Sequence, residues 1–166
     1  MFQESIIIKY IYNEYCSLVT DLILTIQKNE FGLPITLNQQ PDLQDVETYY
    51  HLGCGNFWGA FTGGNLVGTI GLINCGHHIG CVRKMFVKKE YRGKELCIAQ
   101  QLLNTLMLYC SEKDITYIYL GTTHRLKAAH RFYERNGFRP VDLEDLPTYF
   151  PRMMTNNVFY QFHLNE

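Results

Sequence analysis

Arg92, Gly93 and Lys94 form a short basic turn, set directly behind an apolar strand that Val87 closes. A helix begins at once after them, with Leu96, Ala99, Leu102, Leu103, Leu106, Met107 and Cys110 at helical spacing. The first turn of a helix presents N–H groups without intrahelical partners and the positive end of the macrodipole. Such a junction suits phosphate. Gly93 lets the backbone come close to an anion, and Arg92 and Lys94 add charge. Further along, Leu126, Ala129, Phe132 and Tyr133 share a helix face, and Gly137 stands where a left-handed C-terminal cap is expected.

Together the segments Val82–Leu96 and Ala128–Phe138 resemble the GCN5-related N-acetyltransferase (GNAT) superfamily. Its acyl-CoA site is a strand followed by an Arg-x-x-Gly-x-Gly/Ala turn, and its later helix often reads Ala-x-x-x-Tyr-x-x-x-Gly-Phe. The chain matches Arg92 of the first motif and Ala129, Tyr133, Gly137 and Phe138 of the second. It departs at Glu95 and Cys97, where the family usually has glycines. The order of elements is similar over nearly the whole chain.

The resemblance implies acetyl-CoA as co-substrate, no metal, and direct attack of a small acceptor's primary amine in a ternary complex. It implies that Met85 and Val87 offer backbone hydrogen bonds to pantetheine, with Phe86 on the opposite side because strand side chains alternate. The turn Arg92, Gly93, Lys94, Glu95, Leu96 and Cys97 would take the pyrophosphate, mainly through backbone N–H groups. Thr122 and Thr123 would stand across the opening, and Tyr133, a phenol near pKa ~10 matched to a thiolate leaving group, would act as general acid. The alternative is a non-catalytic acyl-CoA-binding or regulatory domain, favoured by Glu95, Cys97 and the lack of an evident base.

Arg83 is a cation in an expected central strand, where an unpaired charge is costly. Its partner is either a structural carboxylate or one on the substrate, the latter pointing to an amino-acid-like or small acidic acceptor. The proline- and aromatic-rich segment Leu146–Met153 could line the acceptor pocket with Tyr49, Tyr50 and Trp58, with Arg152 at the edge, or could pack over the sheet. The acceptor amine must lose a proton. Arg83 cannot accept it, which leaves Glu47, His77, His78 or a water chain.

These groups need a scaffold. Strands are expected at Ser5–Lys9, Asn56–Phe61, Leu66–Ile73, Cys81–Val87, Thr116–Leu120 and Asn157–His163, with hairpins at Gly63–Asn65 and Gly76–Gly80. Helices are expected from Asn13 to about Asn29, from Pro41 to Gly53, from about Lys94 to Lys113 and from about Leu126 to Asn136. The crossover between Cys81–Val87 and Thr116–Leu120 makes those strands parallel. The fold class is therefore α/β (α+β): a mixed, mostly antiparallel sheet with one central parallel pair, flanked by helices on both faces. Residues 1–166 fit one domain.

A net charge of −1 and the absence of a basic stripe argue against nucleic acid as a partner. No apolar run reaches the ~18 residues of a membrane span, and the N-terminal stretch reads as a strand. Six cysteines without a CxxC pair suit a reduced, cytoplasmic protein, and Cys75–Cys81 reads as a hairpin in preference to a zinc site. A homodimer is left open.

Overall fold

The computed structural model describes residues 5–93, 95–153 and 155–164. Lys94, expected in the basic turn, lies outside the described residues. Seven strands form one sheet: β1 (Ile7–Tyr10), β2 (Asn56–Thr62), β3 (Asn65–Gly76), β4 (Ile79–Val87), β5 (Tyr117–Thr122), β6 (Arg139–Val141) and β7 (Val158–His163). Their spatial order is β1-β2-β3-β4-β5-β7-β6. Every neighbouring pair is antiparallel except β4 and β5, joined by the crossover helix α2 (Ile98–Glu112).

Helices cover both faces and divide the interior in two. On one face Leu102, Leu103, Leu106 and Cys110 of α2 pack with Tyr133 of α3 (Lys127–Arg135) over Val82, Val87 and Ile118. On the other, Val19, Leu22 and Ile23 of α1 (Cys16–Leu24) join Leu43, Val46, Tyr50, Phe57 and Phe61. Because both faces are covered, every residue of β2 is buried, and polar–apolar alternation is lost there.

The helix expected from Asn13 is a composite. It opens with a 3-10 turn, Asn13–Tyr15, and closes with a π-helical stretch, Thr25–Glu30. Asn13 caps nothing; its side chain and N–H bind the backbone of Glu47 and the carboxylates of Asp45 and Glu47. The helix expected from Pro41 is also broken, into a 3-10 turn Pro41–Leu43 and a π-helical turn Glu47–His51. Strand β6 was not anticipated. It has three residues, one of them Pro140, which an edge position tolerates. At the β3–β4 hairpin, His77 and His78 take φ of 56° and 63°.

The register of β3 against β4 pairs Gly71 with Arg83 but Thr69 with Phe86, so β4 carries one extra residue. Lys84, at φ 55°, makes this bulge, and the Thr69 hydroxyl donates to its carbonyl at 2.7 Å. The bulge interrupts the strand's alternation. Met85 and Val87 join the α2–α3 core and Phe86 joins the α1 core, while Arg83 and Lys84 both reach Asp42 or its cavity on the α1 side.

Candidate active site

The parallel ladder between β4 and β5 is short. It spans Ile79–Val82 against Tyr117–Leu120 and stops there, although β4 runs on to Val87 and β5 to Thr122. The strands splay, and a narrow cavity of about 80 Å³ opens between them. Met85 and Phe86 line one side and Thr122 and Thr123 the other. A peptide-like chain can add along an unpaired strand edge of this kind.

Tyr133 closes one side of the gap. It is 6% exposed, packed against Phe132, Phe138 and Tyr160, and its hydroxyl donates towards Met85 Sδ at 3.6 Å. Helix α3 ends as its sequence dictates: Gly137 takes φ 89°, and the N–H of Phe138 donates to Tyr133 O at 3.1 Å. Burial, with a smaller push from Tyr160, holds the phenol well above its ordinary pKa. The pKa match expected from the sequence is therefore lost. The phenol stays protonated across the neutral range.

The basic turn departs from expectation in one side chain. Both terminal nitrogens of Arg92 bind the carboxylate of Glu30, one at 2.7 Å to Oε1, and its Nε donates to Val87 O at 2.8 Å. Arg92 thereby holds the Glu30 carboxyl below its usual range. Its charge is matched internally by Glu30, so it is not the free cation that the sequence suggested. Gly93, at φ 126°, occupies a conformation that only glycine adopts without strain. Cys97, at φ 52°, sits left-handed at the N-cap of α2, which explains why a glycine would suit that position. Glu95 and Leu96 form the turn between them.

A second cavity, of about 330 Å³, opens on the α1 side and shares Arg83, Met153 and Thr155 with the first. This volume falls within the ~300–1,000 Å³ typical of small-molecule sites. Tyr49, Arg83 and Arg152 all line it, together with Asp42 and Pro151. The half-buried Arg83 donates to Pro151 O at 3.4 Å, and among the described residues no carboxylate lies within ion-pair distance of it. Arg152 donates to Asn156 O at 3.1 Å and lies over the Phe159 ring.

Trp58 is not brought to this cavity. It is 2% exposed, packed edge-on against Tyr109 in the α2 core, because its strand is covered on both faces. Tyr50 is buried too, its hydroxyl donating to Asp42 Oδ2 at 2.7 Å. The three expected bases also lie elsewhere. Glu47 accepts from the Asn13 N–H, and His77 and His78 form the hairpin tip, with His78 Nδ1 on Asp114.

The sequence reading missed Lys84. It is 6% exposed, with Nζ bonded to Gln40 Oε1, 3.8 Å from Asp42 Oδ2 and 3.5 Å from Met153 Sδ. Gln40 exchanges amide hydrogen bonds with buried Gln27 at 2.8 and 3.0 Å, which fixes its oxygen. The available signal was the pair Arg83-Lys84: two cations in succession where alternation would have sent one to each face.

Comparison with known proteins accords with this geometry. Residues 53–140 match the family model described as an acetyltransferase (GNAT) domain. Over 102 residues the chain is 35% identical to the N-acetylaspartate synthetase of Xenopus tropicalis, covering 60% of this chain and 37% of that protein. The chain thus spans little more than a third of that relative's length. A GNAT-family acetyltransferase structure from Staphylococcus aureus Mu50 superposes with a TM-score of 0.93 at 40% identity, covering 96% of this chain and 99% of the other. The PaiA N-acetyltransferase of Thermoplasma acidophilum, solved with coenzyme A, shares the fold at a TM-score of 0.72 and 19% identity, over 96% of this chain and 99% of that one. The chain belongs to the GNAT acetyltransferase family.

Proposed function

We propose that this protein transfers an acetyl group from acetyl-CoA to the primary amine of a small, carboxylate-bearing acceptor by direct attack in a ternary complex. One observation carries the reading: the gap between β4 and β5 has the Tyr133 hydroxyl on one side and the Arg83-lined cavity on the other. Pantetheine would lie along Met85–Val87 with its pyrophosphate on the amides of the Arg92–Cys97 turn, and Thr123 across from it. The acceptor amine would enter from the α1 side. Its lone pair attacks the thioester carbonyl, the C–S bond breaks, and Tyr133 donates a hydrogen bond to the departing sulfur.

Arg83 and Arg152 would read the acceptor's carboxylate, with Tyr49 at the cavity's outer edge. The name of the Xenopus relative denotes an N-acetylated amino acid with two carboxylates, which agrees with a cationic pocket. The near-neutral net charge also suits a small acceptor better than a charged polymer. No helix among the described residues is long and apolar enough to cross a membrane, and a cytoplasmic location is part of this reading.

Two results test it. Acetyl-CoA at 100 times its Kd should stabilise the fold by about 2.7 kcal/mol and raise Tm by roughly 5–10 °C, with NAD and ATP as silent controls. No shift at millimolar acetyl-CoA would sink the reading. Arg83→Met should raise KM for a carboxylate-bearing acceptor by about 10- to 100-fold and leave KM for acetyl-CoA unchanged, the effect of losing one charge-assisted contact. An unchanged acceptor KM would remove the carboxylate from the proposal.

A further inference from the structure

An acceptor amine that enters as an ammonium must lose a proton before it can attack, and none of the histidines or glutamates expected for this lines either cavity. One titratable nitrogen does stand at the gap. The bulge at φ 55° turns Lys84 to the acceptor side, next to Arg83. Lys84 lines the narrow cavity, its partner Asp42 lines the wide one, and Met153, in contact with Nζ, lines both. Its Nζ therefore lies in the wall where donor and acceptor meet.

We propose that Lys84 Nζ is the general base that deprotonates the acceptor ammonium, with Gln40 and Asp42 holding it in position. This rests on the acetyl-transfer reading above. The charged and titratable groups facing Nζ are Asp42 across the wall, the Tyr50 hydroxyl that shares the Asp42 oxygen, and Arg83 beside it in the strand. Burial and Arg83 disfavour the ammonium form, Asp42 opposes them, and burial prevails, bringing the lysine down to about 8. A base poised there is neutral often enough to work just above neutrality.

The step balances without any further reagent. The neutral Nζ takes a proton from the acceptor's R–NH3+, and the electrons of that N–H bond become the attacking lone pair. The nitrogen bonds to the thioester carbon, the C–S bond breaks, and the thiolate takes the second proton from the new amide nitrogen. Lys84 then releases its proton to water. The sum is R–NH3+ plus acetyl-CoA giving the N-acetyl product, CoA thiol and one proton.

The test compares the wild type with Lys84→Arg, which keeps the charge but cannot deprotonate, and with Lys84→Gln, should arginine fail to fit. Two probes are used: the best acceptor in an amino-acid panel that includes L-aspartate, and its aminooxy counterpart, whose nitrogen is neutral at pH 7. The expected result for each variant is retained acetyl-CoA binding and a loss of about 10²- to 10⁴-fold in kcat/KM with the amino acid. With the aminooxy probe, which needs no base, each variant should stay within about tenfold of wild type. A full rate with the amino acid, or equal losses with both probes, would overturn the assignment while acetyl transfer stands. A wild type that binds acetyl-CoA but acetylates neither probe would overturn the acetyl-transfer reading itself.

Discussion

Tyr133→Phe is expected to lower kcat by about 10²- to 10³-fold while acetyl-CoA affinity stays within a few-fold. The ring is buried among Phe132, Phe138 and Tyr160, and phenylalanine keeps those contacts. What disappears is one O–H, whose partner is a weak acceptor, Met85 Sδ at 3.6 Å. Stability should therefore change by less than about 1 kcal/mol. In the reaction the same O–H would meet a sulfur acquiring full negative charge in a dry site, where a fixed donor matters far more. Because burial raises the phenol's pKa, this contribution should be independent of pH across the neutral range. Single-turnover rates of acetyl transfer at saturating acetyl-CoA provide the measurement. A variant with unchanged kcat would reduce Tyr133 to core packing.

Asp42→Ala should cost about 3–5 kcal/mol, a fall in Tm of roughly 6–20 °C. The carboxylate is the only counter-ion within 4 Å of Lys84 among the described residues, and it also accepts from the buried Tyr50 hydroxyl. Removing it strands a cation and a phenol in the interior. Asp42→Asn, which still accepts from Tyr50, should cost less. In the double variant Asp42→Ala/Lys84→Met the stranded cation is gone, so much of the loss should return; simple additivity in chemical denaturation would show that the two do not interact. The pair also has a pH signature. The folded-state pKa of Lys84 is lowered from 10.5 to about 8, so in that window the unfolded chain holds a proton that the folded chain has released. Its contribution to stability therefore rises with pH through that interval, and Lys84→Met should abolish the rise relative to wild type.

The elements around the gap between β4 and β5 were legible in the sequence because their signals are local. A strand, a glycine-containing turn and a helix onset lie within fifteen residues, and the Tyr133–Gly137–Phe138 helix end announces its own cap. The lining of the wider cavity was only partly legible. Arg83, Tyr49 and Arg152 were singled out and do line one cavity. Trp58 was misplaced because a strand buried on both faces gives no alternation from which to tell inside from outside. Lys84 was missed because nothing about a lysine signals a left-handed backbone; the bulge arises from the β3–β4 register, which is a tertiary property. The segment Asn13–His51 alternates 3-10, α and π turns that periodicity alone reads as two regular helices.

The extra residue in β4 lets two neighbouring side chains share one face. Upstream of it the strand is phased by the hairpin at His77-His78, and downstream by Thr69 and Gly68, which pair with Phe86 and Val87. Removing Lys84 would restore a regular pleat, and both arms would keep their faces: Val82, Met85 and Val87 towards the α2–α3 core, Arg83 and Phe86 towards α1. The inserted residue thus adds a second cation on the α1 side without changing the facing of any other side chain in the strand.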